Sequence, residues 1–287
     1  MRRAVALVFA LTFALGLANE TQRSWGPPQK LCSLSDNRID ESSGVAASLR
    51  ESGVFYTHND SGDKPRFFRF RRDGTVDGVY ELKGVKAFDW EDICSARVDG
   101  TPYLYLADIG DNRQIRKEIV VYRVKEPTKT GDQTITEFDT YTFRYPDKPH
   151  DCEAIFVTKS GDIYLVTKAR DGMTGVFVMN PPKSGETYTL RHIRNLDVKS
   201  PGPWGNQVTA ADLSPDQKHV VIRTYSTGFE YAVPKNFNDW TKAAPKSVKI
   251  AKEAQGEAIC YSRDGSYILT TSERAPCPVS ILALNAR

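Results

Sequence analysis

Histidine, methionine and cysteine are scarce in this sequence of 287 residues, with four, three and five copies. The compact motifs that such residues usually build are missing. Without a CxxC pair or an HExxH the common zinc signatures are excluded, and without a GxSxG elbow or a P-loop so are the serine-hydrolase and nucleotide signatures. Excess charge is also lacking. Lys and Arg number 39 against 36 Asp and Glu, too small a surplus for phosphate-backbone binding, so no nucleic-acid partner is expected. Helix-period apolar patterning is nearly absent, and beyond the first residues no apolar run approaches the length of a membrane span.

What is present begins with a leader pattern. Arg2 and Arg3 precede an apolar run over residues 4–17, which ends in Gly16-Leu17-Ala18. A charged start, an apolar centre and a small-residue cleavage site make a secretory signal. The run has 14 residues, where a bilayer span wants about 20. The first cysteine, Cys32, lies well past the cleavage point, which argues against a lipid anchor. Residues 1–18 are therefore expected to be a signal peptide and 19–287 a single domain, monomeric and secreted or periplasmic, with no integral membrane segment. Such a compartment permits disulfides. Cys32 with Cys277 would staple the chain ends, whereas Cys94 and Cys260 suit apolar strand positions.

The remaining chain repeats itself. Five segments share a short apolar strand, a polar or glycine turn and a second apolar strand ending in polar residues: ESSGVAASLRESGVFYTHND, WEDICSARVDGTPYLYLADIGDN, CEAIFVTKSGDIYLVTKARDG, VTAADLSPDQKHVVIRTYSTG and GEAICYSRDGSYILTTSERAP. Aligned on the first strand they start at Ser43, Glu91, Glu153, Thr209 and Glu257, at intervals of 48, 62, 56 and 48 residues. These intervals bracket one four-stranded propeller blade, and a β-sandwich would have the strands without the repeat. The expected fold is all-β, a β-propeller of five four-stranded blades. The long interval, with its polar stretch 125–136, leaves room for a sixth. The last repeat lacks a fourth strand, and residues 31–34 are the natural donor, pairing with 279–283 to close the ring.

In a propeller the first strand of each blade lines the axis, so first-strand starts and second-strand ends meet at one face. That convergence gathers Glu91, Glu153 and Glu257 with Asn59, Asp60 and Asp108. Oxygen donors of this kind suit Ca2+ or a similar hard cation. The loops 59–63 and 108–112 also have the Asn, Asp and Gly that tight turns demand, and neither completes an EF-hand. His58 is the one histidine placed at this face, a candidate general base. Lys168 and Arg223, from blades three and four, are placed opposite to hold an anionic group. Trp90 and Trp204 near the same face could form a stacking wall.

DESSGVAAS, FYTHNDSGD, DWEDI and YLYLADIGDNR, within residues 38–124, resemble a group of exported bacterial propeller proteins of unassigned function. HDCEAIFV, IYLVTK, VTAADLSPD, VIRTYSTGFEY and GEAICYSRDG continue the likeness over most of the chain. The E-x-x-G and D-x-E pattern is more distantly similar to phytase-like esterase propellers and to the calcium-dependent, gluconolactonase-like propellers. That resemblance implies a metal at the channel mouth polarising an ester or lactone carbonyl, with Glu91, Glu153, Asn59, Asp108 and Glu257 carried over by position. Ser43 and Thr209 depart from it. The expected function is metal-assisted hydrolysis of a small ester, lactone or phosphoester, with a non-catalytic ligand-, peptide- or glycan-binding propeller as the alternative. A glycosidase reading would pair Glu153 with Glu257 or Asp60.

Overall fold

The computed structural model describes residues 23–170, 173–202 and 204–285. The expected leader, 1–18, lies outside the described residues. Among these residues no helix is long and apolar enough to cross a membrane.

Five antiparallel sheets stand around an axis. Blade one runs outward from β2 (Ser42–Ala47) through β3 (Val54–Asn59) and β4 (Arg66–Arg71) to β5 (Val76–Leu82). Blade two holds β6 (Trp90–Val98), β7 (Thr101–Asp108), β8 (Ile119–Lys125) and β10 (Asp139–Arg144). Blade three holds β11 (Cys152–Val157), β12 (Ile163–Thr167), β13 (Met173–Met179) and β15 (Arg191–Asp197). Blade four holds β16 (Val208–Leu213), β17 (His219–Thr224), β18 (Gly228–Ala232) and β19 (Lys246–Val248). Blade five has β20 (Gly256–Tyr261), β21 (Tyr267–Ser272) and β22 (Cys277–Ala283), and β1 (Gln29–Leu34) supplies its fourth strand, with Leu34 opposite Cys277 and Gln29 opposite Ile281.

The polar stretch 125–136 does not make a sixth blade. It carries β9 (Gln133–Ile135), which adds in parallel to β5 of the preceding blade, and β14 (Thr187–Thr189) adds to β10 in the same way. Each is an arm from one blade that lengthens its neighbour.

Both faces of every blade are covered, so alternate residues of a strand serve different interfaces. In β20, Ala258 and Cys260 face blade one while Ile259 and Tyr261 face blade four. The result is five apolar clusters, one at each blade boundary, surrounding a polar axis. Polar side chains then stitch neighbouring blades together around the axis. Asp92 Oδ2 accepts from Ile155 N of blade three at 3.0 Å, and Asp212 Oδ2 from Tyr261 N of blade five at 2.8 Å.

No disulfide joins the chain ends. All five cysteines are free thiols, and Cys32 stands opposite Val279 rather than Cys277. Cys94 and Cys260 occupy apolar interface positions, as their surroundings in the sequence suggest.

Candidate functional site

Every innermost strand begins with a β-bulge. The partner strand advances one residue while the inner strand advances two, and the extra residue is Ser43, Glu91, Glu153, Thr209 or Glu257. A bulge leaves its extra residue outside the ladder and re-aims the side chain. Five repeats of one bulge therefore turn five equivalent side chains toward one end of the channel. Where the residue is hydroxylic it bonds the next blade: Ser43 Oγ donates to the Glu91 carbonyl at 2.9 Å and Thr209 Oγ1 to the Gly256 carbonyl at 3.2 Å.

Where it is glutamate, carboxylates accumulate. One oxygen each from Asp60, Asp89 and Glu91 lie within 4.8 Å of one another, and so do oxygens of Glu91, Asp151 and Glu153. Glu91 belongs to both groups. Glu257 and Glu273 of blade five complete the ring, and Lys168 is the ammonium set among them, its Nζ 2.9 Å from Glu153 Oε1. Burial and mutual repulsion push the carboxyls toward their neutral forms. Burial, then Asp60, raise Asp89 to about 6, and burial, then Asp60 and Glu41, raise Glu273 to about 7. Glu91 is driven well above the carboxylate range by burial and by Glu153. Burial works against the Lys168 charge, but Glu153 and Glu257 outweigh it and keep the ammonium protonated.

A hard divalent cation fits this arrangement. The donors are all oxygen, and ligands held at about 2.3–2.6 Å from one ion are separated by no more than about 5 Å. Glu257 Oε2 is buried without a hydrogen-bond partner, the unsatisfied state that a cation relieves. Gly110 roofs the group so closely that a Cβ there would collide with Glu91 Oε1 and Asp89 Oδ2.

Of the residues singled out in the sequence, Asp60, Glu91, Glu153, Glu257 and Lys168 come together here. Asn59 and Asp108 stand beside them with their polar atoms engaged. Asn59 Oδ1 accepts from Asp40 N and Glu41 N, and its Nδ2 donates to the Arg38 carbonyl and to Asp63. Asp108 takes Phe88 N, Asp89 N and Arg116 Nη2. For these two, backbone amides of the segments entering β2 and β6 account for the side-chain oxygens. Lys168 lies inside the carboxylate group, not across from it.

His58 and Arg223 are placed in walls, not at the opening. His58 is sealed between blades one and two against Trp90, its Nδ1 bonded to the Asn59 carbonyl at 2.8 Å, and burial lowers its pKa to about 4. A neutral ring without solvent contact does not relay protons to a ligand. The Arg223 guanidinium is fully buried, bonding Glu253 at 2.5 Å and the Ala258 and Thr271 carbonyls. It ties blade four to blade five. Trp90 is likewise buried, while Trp204 is exposed.

Asp89 and Asp151 were not singled out, although each stands two residues before a bulge glutamate in a D-x-E triplet. Glu273 and Tyr225 also border the group, the latter with Lys168 Nζ 5.3 Å from its ring centroid.

No family model and no curated protein matches the sequence. Solved structures do match, and they are propellers. The PQQ-bound aldose sugar dehydrogenase of Streptomyces coelicolor is 8% identical, with a TM-score of 0.52 over 91% of this chain and 98% of its own. The RRP9 WD40 repeats are 9% identical, with a TM-score of 0.48 over 92% and 100%. At 8% identity the likeness to the dehydrogenase shows the fold, a β-propeller, and nothing finer.

Proposed function

We propose that this is an exported propeller that binds a divalent cation, calcium by its oxygen-only donor set, at the channel mouth and hydrolyses a small ester, lactone or phosphoester there. The observation that carries the reading is the pair of carboxylate triads joined at Glu91, with an unpartnered Glu257 oxygen beside them. Either Asp60, Asp89 and Glu91 or Glu91, Asp151 and Glu153 would hold the ion. When bound, such an ion polarises a substrate oxygen and lowers the pKa of water. Glu273, raised to about 7, has the poise to take or return a proton near neutrality, the task that buried His58 cannot perform. Lys168 orients Glu153 and faces the same space.

A ligand-binding propeller without catalysis is the second reading, and one observation favours it. Of the four exposed large apolar residues among those described, Phe88, Ile115 and Trp204 stand on connections that emerge at the channel-mouth face, and Met173 opens β13 at the same end. The test is calcium titration followed by melting and by hydrolysis of chromogenic esters, for wild type and Glu91→Gln. We expect calcium to raise the melting temperature of wild type and to leave Glu91→Gln unmoved. Calcium binding without turnover of any ester selects the second reading, and absence of calcium binding ends the first.

A further inference from the structure

The carboxylate group has a neighbour of opposite character. A cavity of about 710 Å3 opens between blades two and three, and its inner wall is Asp151 and Lys168. Its outer walls carry Lys148, Arg170 and Gln114, which can donate hydrogen bonds, together with His150 and His192. Among the described residues neither Lys148 nor Arg170 makes a salt bridge. Asp147, the other carboxylate at this cavity, is occupied by His150 Nε2 at 3.0 Å. The two imidazoles are fixed by packing on Phe177, at centroid distances of 5.2 and 5.1 Å, and His192 Nε2 is held by Asn195 at 2.8 Å.

From this we infer that the blade-three cavity is an oxyanion subsite, which seats a phosphate or carboxylate group of the substrate on Arg170 and Lys148 while the rest of the molecule reaches the carboxylate centre past Asp151. The volume falls in the range of pockets for small organic ligands, larger than a single oxyanion needs. Guanidinium and ammonium donors outside any salt bridge match tetrahedral or planar oxyanions. An anion in this cavity lies beside a bound cation and not over bare carboxylates, so the two sites favour one another. The assignment rests on the proposed function for its role in turnover, but the anion site itself can be judged separately.

The test uses the full chain, cation-free and calcium-loaded, titrated calorimetrically with sulfate as the tetrahedral probe and acetate as the planar one. Variants are Arg170→Gln and, as a second check, His192→Gln. Sulfate or acetate should bind wild type and lose about tenfold or more in affinity in Arg170→Gln, with calcium binding unchanged. Stronger sulfate binding assigns a phosphate group, and stronger acetate binding a carboxylate. Calcium binding with no oxyanion binding, or with binding indifferent to both substitutions, overturns the subsite alone. Failure of calcium to bind overturns the functional reading, while the response of oxyanion binding to Arg170→Gln still decides the subsite.

Discussion

A methyl group at Gly44 has no space to occupy. It would sit 2.5 Å from His58 Nε2, 2.6 Å from Ile93 N and 2.9 Å from Asp92 Cα, and two of those atoms are backbone of the next blade. Gly44→Ala should cost about 1–3 kcal/mol, read as a lower urea midpoint with unchanged slope. Arg223 gives a second test at this scale. Removing one partner of a buried ion pair leaves the other stranded, so Arg223→Ala should lose about 3–5 kcal/mol and keep its calcium response; a lost calcium response would return Arg223 to the site. Asp212 contributes a pH dependence. Burial lifts its carboxyl from 3.8 to about 7, and the amides of Tyr261 and Leu213 offset this only in part. The folded state therefore holds the proton more tightly than the unfolded one. Its contribution to stability is full below about pH 4 and is lost as the pH rises through 7. Asp212→Asn abolishes that titration but leaves one amide facing an NH2, at about 1–3 kcal/mol. The variant should melt below wild type at pH 4 and close the gap by pH 7.5.

The strands and their repeat were legible because each blade buries both faces and restarts with the same few residues, from Ser43 to Glu257. Ring closure by the segment 31–34 was legible for a related reason, since the fifth repeat runs out one strand short. The site was legible only in part. Sequence shows that Asn59 and Asp108 have ligand-like side chains, but not that the backbone N–H groups of Asp40, Glu41, Phe88 and Asp89, on the segments entering β2 and β6, consume them. It shows the polar ends of β3 and β17, but not that neighbouring blades close over His58 and Arg223. The D-x-E triplets held the missing signal, because each sets an aspartate one residue before the strand whose bulge turns the glutamate toward the channel mouth. At this scale two outcomes are expected. Deleting residues 23–34 exposes the edge of β22 and should cost most of the cooperative melting transition, with aggregation as the visible result. Reductant should leave the melting temperature of the intact protein unchanged, since no disulfide contributes; a fall in dithiothreitol would contradict the free thiols.

For the molecule as a whole, the carboxylate ring couples stability to pH and to cation. Asp89 and Glu273, raised to about 6 and 7, favour the protonated folded form, so cation-free stability should fall as the pH climbs from the ordinary carboxylate range through 7. A bound cation replaces those protons. The rise in melting temperature on adding calcium should accordingly be larger at pH 8 than at pH 5, and an equal rise at both would separate the cation from these carboxyls. The strand that closes the ring has a consequence of timing. β1 leaves the ribosome before the other strands described, and its partner β22 is finished some 250 residues later. During that wait β1 has nothing to pair with. A nascent chain released short of residue 277 keeps an open seam, where a protease or another unfinished chain can enter. Blades one to four can assemble as they emerge, but the seam shuts only when the last strand arrives.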